Sequence, residues 1–436
     1  MKSRAPAVIV CAMSLIFSAS FGTAAPALAQ APVSAWGVES EGFEAGVPDA
    51  VRLRGFEPRV VRANLRDLDL IEPGDVLRLD LSASTSAVVS IHRVTRDRFN
   101  GHVIAGTIQG APNTRMILVL EPDGIGGSVT LPDSSFEIRW LGEGLSSVMR
   151  NDPAKTRRGS GFNDAIAAPA AARQQPAPSA TAANAATSVW DLLHVYTKVA
   201  ASQIGGKGAL KTATKVAVAN WNEALTNSGI DVTVRLVANK KVKYTKRGVD
   251  GDYAVEALRD LRTNGVKKAL KFRSKFGADI VSMAVEINDI VCGVGYLPGN
   301  GHGISASDGA VGFHVNSVDC LSGFGGLTMA HEGGHNVGLN HDPANASARH
   351  EAGAYSYSFG HRVAGRFRTV MSYSCAADGL AACPEISYYS TPLKKVDGTK
   401  VGVKKKTDNA KSIKKSRDAV EDYTACKKGC NNRVGS

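Results

Sequence analysis

Cysteine is scarce and unevenly placed in this 436-residue chain: there are seven, with none between residues 30 and 186. A disulfide framework is therefore excluded for that stretch. No Cys-x-x-Cys pair occurs, which argues against zinc ligation by cysteine. Long apolar runs are also missing. Apart from Ala7–Phe21, no stretch approaches the ~20 residues that a spanning helix needs, so no membrane span is expected after the N-terminal segment. No internal repeat of useful length is evident, and an acidic balance is absent. Residues 1–186 carry 18 basic and 18 acidic side chains, so the whole net charge of +12 falls in residues 187–436. Much of it lies in Lys394–Lys415, including Lys404-Lys405-Lys406. Such a run is either a solvated face or a means of attracting acidic substrates and surfaces.

The apolar run that does exist has a recognisable order. Lys2 and Arg4 precede Ala7–Phe21, and small residues lead to Ala27-Leu28-Ala29. Positive, apolar, then A-x-A is the pattern of a secretory signal peptide, expected over residues 1–29. A membrane anchor is the competing reading, but the run is short for one. Cys11 leaves with the signal. The remaining six, Cys292, Cys320, Cys375, Cys383, Cys426 and Cys430, suit an exported chain and read as disulfides, with fifteen connectivities open. We expect local pairing: Cys292–Cys320, Cys375–Cys383 and Cys426–Cys430.

Texture divides the rest. Residues 30–150 hold short alternating runs such as "VLRLDLS", "HVIAGTIQG" and "RMILVLEPDG" between Gly, Pro, Asp and Asn turns, which predicts a β-rich unit. Residues 151–187 include "AAPAAARQQPAPSATAANAATS", whose composition predicts a flexible linker. Residues 188–426 mix strands and helices. Strands are expected at 188–197, 230–238, 278–287 and 310–315. Helices are expected along Leu210–Leu225, over 252–276 with a break near Gly265, and at 327–338 and 408–424. Strand–helix alternation followed by irregular structure gives an α/β (α+β) unit with a loop-rich C-terminal part. Residues 427–436 form a basic tail.

Three of the ten histidines fall within "MAHEGGHNVGLNHD", residues 329–342. His331 and His335 are four apart, which on a helix places both rings on one face, spaced to share one zinc. Glu332 can reach a water on that metal without ligating it. His341 lies too far along a straight helix, but Gly338 tolerates the left-handed conformation that ends a helix and turns the chain back. Three neutral nitrogens leave one position open for water, the arrangement of a catalytic zinc. Glu332 is then the general base for attack on a polarised carbonyl. Chance would produce the full H-E-x-x-H-x-x-G-x-x-H-D in about one such chain in a million, so a surface histidine pair is a poor account of it. His302, His314, His350 and His361 lack ligand spacing and read as surface or structural.

These residues resemble the zinc-binding stretch of the metzincin metallopeptidases, and Asp342 after the third histidine resembles the adamalysin (reprolysin) branch. The resemblance implies a methionine turn, supplied by Met371 in "RTVMSYSC" (368–375). Tyr373 then stands where some metzincins contact the transition state. The resemblance covers roughly 187–426. It is most similar to bacterial peptidyl-Asp metalloendopeptidases, through "IDVTVRLV", "GADIVSMAV", "CGVGYLP", "TVMSYS" and "YYSTP". It implies a metzincin-like catalytic domain with a twisted mixed sheet and active-site helix, one zinc ion and protein or peptide substrates. The strand around Val311–Val315 would be the edge strand that pairs with an extended substrate, and residues 386–392 would line the pocket. Tyr388 and Tyr389 there are equally readable as core aromatics. Cleavage on the amino side of Asp, and perhaps Glu, would need a cation, with Arg366 or Arg368 the candidates over Lys394 and Lys395.

The β-rich unit resembles the propeptide of such enzymes, most closely at 136–153. Many metzincin propeptides silence the zinc with a cysteine. None is present here, so latency must work otherwise. "TRRGSG" (156–161) is either a processing site or a plain surface arginine pair. One departure stands out: relatives keep a glycine matching Gly334 but place Ile or Leu where Gly333 stands. A helix-interior glycine costs roughly 0.5–1 kcal/mol against alanine, and nothing in the sequence says why it was accepted. The expectation is a secreted, monomeric zinc endopeptidase with no nucleic-acid partner. The sequence is silent on structural calcium. The rival reading is a secreted adhesion or surface-binding protein on a metalloprotease scaffold, against which the intact Glu332 argues.

Overall fold

The computed structural model describes residues 32–38, 55–151, 164–169, 187–248, 250–287, 291–299, 301–323, 326–346 and 352–424. Its first part is a sheet built from β1 (Val33–Ser34), β2 (Trp36–Val38), β3 (Gly55–Ala63), β4 (Val76–Asp80), β5 (Ser86–Asp97), β6 (Gly101–Ile108), β7 (Arg115–Glu121), β8 (Gly124–Thr130), β9 (Ser135–Gly142) and β10 (Leu145–Asn151). The strand order is β1-β4-β5-β6-β7-β8-β9-β10-β3-β2. Alternation decides which face is buried: Leu77 and Leu79 of β4, and Ala87, Val89 and Ile91 of β5, point into one core. A short helix, α1 (Leu65–Asp69), buries Leu68 against it. Among the described residues of 30–150 the structure is mostly strand, and β10 runs to Asn151.

The second part carries β12 (Ser188–Tyr196), β13 (Val232–Lys241), β14 (Ile280–Val285), β15 (Gly293–Leu297) and β16 (Phe313–Ser317), joined at one edge by β11 (Ala165–Ala167). The order is β11-β15-β16-β14-β12-β13. All neighbours are parallel except β15, which runs antiparallel to β16. The helices are α2 (Lys198–Gln203), α3 (Lys207–Asn227), α4 (Gly251–Arg262), α5 (Ala269–Phe276), α6 (Thr328–Asn336), α7 (Pro343–Ala346) and α8 (Asn409–Glu421). The helix expected over 252–276 is indeed broken, where Asn264 and Lys268 take positive φ between α4 and α5. The C-terminal part is mostly loop, with the two-stranded pairs β17 (Arg362–Val363) with β18 (Phe367–Arg368) and β19 (Lys395–Val396) with β20 (Thr399–Lys400). Among the described residues no helix is long and apolar enough to cross a membrane.

Helix α3 explains why both sheets belong together. It is buried around most of its circumference, with alanines at 209, 213, 217, 219 and 224 allowing close approach. One side packs on the second sheet through Trp221 and Leu225. The other meets β6 and β7, where Val216 and Ala219 cluster with Val103, Ala105, Ile117 and Val119. Each larger apolar side chain there contributes roughly 1.5–3 kcal/mol of burial. A Cβ on Gly126 of β8 would stand 2.4 Å from Thr212 Cγ2, so that glycine is what lets the surfaces meet. Polar contacts add register: Lys215 Nζ to Glu121 at 2.9 Å, and Asn220 Nδ2 to Ser128 Oγ at 3.0 Å. Asn100 lies against the outer edge strand β13, donating to the Val234 carbonyl and accepting from Leu236 N–H, each at 3.1 Å.

Two expectations need correction. Part of the stretch read as flexible linker, Ala165–Ala167, is a strand, because the edge of β15 offers unpaired backbone groups that this short apolar segment satisfies. The strand at 310–315 begins only at Phe313, after a 3-10 turn over Ala306–Val311, and it is not an edge. It pairs on both sides, and β15 lies outside it. The disulfides Cys292–Cys320 and Cys375–Cys383 are formed as expected, with Cα atoms 5.6 Å apart in each. The pair Cys426–Cys430, His350, the signal segment, residues 156–161 and the basic tail lie outside the described residues.

Candidate active site

Helix α6 lies beneath β15 and is buried throughout. Two glycines let it sit there. A Cβ at Gly334 would be 2.4 Å from Met371 Sδ, and one at Gly333 would be 2.0 Å from Trp221 Cη2. The residue whose presence was unexplained is thus the seat of the Trp221 ring. The strand above makes the same concession. A Cβ on Gly293 would meet the Glu332 side chain at 2.7 Å, and one on Gly295 would meet the Glu332 carbonyl at 2.7 Å. Gly338, at φ +85°, ends the helix as its place in the motif predicts, and a Cβ there would also strike Ala354. The chain then turns back and brings His341 to the two helical histidines.

The three rings converge through their Nε2 atoms. His331 Nδ1 donates to the Val370 carbonyl at 2.7 Å and His335 Nδ1 donates to the Leu339 carbonyl at 2.8 Å. Those protons are therefore spent on backbone, and both Nε2 atoms present lone pairs. His331 Nε2 and His341 Nε2 stand 3.3 Å apart. Two nitrogens each 2.0–2.1 Å from a tetrahedral zinc would be about 3.3–3.4 Å apart. His335 Nε2 makes no well-formed hydrogen bond, its nearest carboxylate oxygen being Asp164 Oδ1 at 3.4 Å. Burial, with neighbouring imidazoles, lowers the His335 pKa to about 4, so it is neutral at pH 7. Buried lone pairs aimed at a common point fit a zinc ion.

Around this centre Met371, read from the sequence as the turn methionine, is wholly buried with its Sδ against Gly334 of α6. Tyr373 lies against His341, ring centroids 4.2 Å apart. Burial first, and then the adjacent Asp164 carboxylate, push the Tyr373 phenol well above its ordinary pKa, so it stays a donor. Asp342 binds the Tyr373 N–H at 3.1 Å and Arg362 Nε at 3.0 Å, locking the third-histidine loop to the Met turn. The pocket candidates are placed differently. Arg366 is exposed and donates to Thr399 Oγ1 at 2.6 Å. Arg368 is buried against Glu385 Oε1 at 3.1 Å and the Ser372 carbonyl at 2.9 Å. Tyr389 is wholly buried and donates to the Ala330 carbonyl at 2.8 Å, which makes it a support for α6. Tyr388 is half-buried beside the Phe367 and Ile386 cluster. His314 is structural, bonded through Nδ1 to Asn336 Oδ1 at 2.9 Å.

Three contributors escaped the sequence reading. Asn336 ties α6 to the sheet by donating to the Tyr296 and Phe313 carbonyls at 3.0 and 2.8 Å. Arg362 pairs with Asp342. The third is Asp164, whose carboxylate stands among the three histidines as a fourth group able to hold a metal. It carried a faint signal: it is the sole acidic residue between Asp152 and Asp191.

Residues 186–397 match the reprolysin-like group of metallopeptidase family M12B. That stretch is a reprolysin-like metallopeptidase domain. A peptidyl-Asp metalloendopeptidase of Pseudomonas aeruginosa is 31% identical over 218 residues, which is 44% of this chain. This chain spans only 33% of that relative's length. A peptidyl-Asp metalloendopeptidase of Xanthomonas campestris is 25% identical over 316 residues, covering 71% of this chain and 70% of its own. Among solved structures, metalloproteinase-II from Bacteroides fragilis aligns over 70% of this chain and 93% of its own, at 14% identity and a TM-score of 0.39.

Proposed function

We propose that this chain is an exported zinc endopeptidase in which His331, His335 and His341 hold the metal and Glu332 is the general base. The observation that carries the reading is the convergence of three Nε2 atoms, two of them, on His331 and His335, on rings whose Nδ1 is committed to a backbone carbonyl. A zinc ion there would supply Lewis acidity to the scissile carbonyl and lower the pKa of a water. Glu332, next to the first ligand and held against Gly293, takes the proton from the attacking water and returns it to the leaving nitrogen. Tyr373, which keeps its proton, donates a hydrogen bond to the developing oxyanion. Residues 1–29 direct export, and residues 30–150 serve as the propeptide.

Cleavage on the amino side of Asp is the specificity we assign, following the relatives named for it. A buried carboxylate in the pocket requires a cation. Arg366 is the better of the two candidates, because Arg368 is already neutralised by Glu385. The deciding experiment is metal analysis with casein hydrolysis: one zinc per chain, and activity abolished by a chelator. Glu332→Ala should keep the zinc and the fold while losing about 10²–10⁴-fold in rate. Near-normal turnover in that variant would refute the general-base role.

A further inference from the structure

We propose that Asp164 closes this active site in the uncut chain, its carboxylate taking the fourth metal position while β11 occupies the free edge of β15. The proposal rests on the zinc reading of the three histidines. Oδ1 of Asp164 is 2.6 Å from His341 Nε2 and 3.4 Å from His335 Nε2, and Oδ2 is 3.5 Å from His331 Nε2. The same Oδ1 accepts a hydrogen bond from Tyr373 at 2.7 Å. One carboxylate thus engages all three ligands and also the hydroxyl assigned to the oxyanion. A carboxylate is a competent zinc ligand at 2.0–2.2 Å, and here it stands on the position that water must hold for hydrolysis.

Backbone pairing fixes the carboxylate there. Ala165, Ile166 and Ala167 pair in parallel with Gly295, Tyr296 and Leu297. Gly295 N–H donates to the Asp164 carbonyl at 3.0 Å, and Ala168 N–H to the Leu297 carbonyl at 3.3 Å. This edge, not β16, is where an added extended peptide would make main-chain bonds. The segment therefore blocks both the metal and the groove. It also answers how a cysteine-free propeptide could silence the enzyme.

A consequence follows for processing. Arg157-Arg158 lies before Asp164 in the chain, so a cut there leaves Asp164 attached to the catalytic domain. Release requires a cut beyond Ala168, in the Ala/Pro/Ser/Gln-rich stretch that precedes Ser188.

The test uses the full chain carrying Glu332→Ala to prevent self-cleavage, loaded with Co²⁺ and titrated with acetohydroxamate as a probe for an open metal position. Metal stoichiometry is measured first, by itself. The parent should bind one Co²⁺ and leave its visible spectrum nearly unchanged on adding the probe. Asp164→Ala should bind the same one Co²⁺ and take up the probe at least about tenfold more tightly, as expected when a site closed nine-tenths of the time is opened. Asp164→Asn keeps the shape and the Tyr373 contact, and should shift the cobalt spectrum even if the alanine variant folds poorly. Equal probe affinity in parent and both variants, with metal bound, would overturn the proposal while leaving the zinc site standing. Failure of every chain to bind metal would instead remove the zinc reading, and the proposal with it.

Discussion

Replacing Gly333 by alanine pits helix propensity against packing, and the structure decides the sign. Propensity alone favours the change by roughly 0.5–1 kcal/mol, because glycine loses more backbone entropy in a helix. Packing opposes it. The new Cβ would lie 2.0 Å from Trp221 Cη2, 2.5 Å from Cζ2 and 2.7 Å from Cζ3. That ring has no room to swing: it is fully buried, edge-on to Trp190 at 6.4 Å and to His314 at 6.3 Å between centroids. Overpacking of this kind costs about 1–3 kcal/mol, so the net loss should be about 1–2 kcal/mol. For a folded unit of this size that lowers the melting temperature by roughly 2–8 °C. Calorimetry on the zinc-loaded, Glu332→Ala full chain would read it. Adding Trp221→Phe should recover part of the loss, since the smaller ring vacates the contested space and the two changes couple. In the active enzyme, a displaced α6 also moves His331, Glu332 and His335, and an ångström of misplacement can cost ~10²-fold in rate. A higher melting temperature for Gly333→Ala alone would refute the reasoning.

Glu223 supplies a pH-dependent contact between α3 and the first sheet. Burial alone would raise its pKa, but the His92 hydrogen bond at 2.9 Å and the charges of Arg93, His92 and Arg115 lower it overall. Its stabilising share is therefore complete above the ordinary glutamate pKa of about 4.3 and is lost as pH falls further. The melting-temperature gap between wild type and Glu223→Gln should narrow below that pH; a gap unchanged down to pH 3 would contradict the assignment. Replacing both Cys292 and Cys320 by serine should cost about 3–4 kcal/mol on a chain-entropy estimate, and replacing Cys375 and Cys383 about 2–3, the shorter loop mattering less. Peptide mapping without reduction that joined Cys292 to Cys426 would overturn this pairing. Arg366→Met should flatten any Asp preference in a peptide library, while Arg368→Met should mainly destabilise by leaving Glu385 buried without its partner. Unchanged preference in both variants would remove these arginines from the pocket.

Much of the architecture was legible in the chain because it rests on short-range rules. Alternation in "VLRLDLS" places Leu77 and Leu79 on one face whatever lies opposite. The three- and four-residue steps from Leu210 to Leu225 define α3. The four-residue spacing of His331 and His335, with Gly338 to turn the chain, brings three imidazoles together by local geometry alone. Contacts between distant segments obey no such rule. Gly333 reads as a defect until Trp221, more than a hundred residues earlier, is seen resting on it. The edge of the sheet was assigned to the wrong strand because pairing order is a tertiary property: β15 is short and glycine-rich, and only its neighbours show that it lies outside β16. Asp164 belongs to the same class. Its neighbours in sequence, Gly-Phe-Asn before and Ala-Ile-Ala-Ala-Pro after, carry no alternation that would mark a strand. It is the unsatisfied edge of β15 that supplies partners for the backbone and sets one carboxylate among three histidines 167 or more residues downstream.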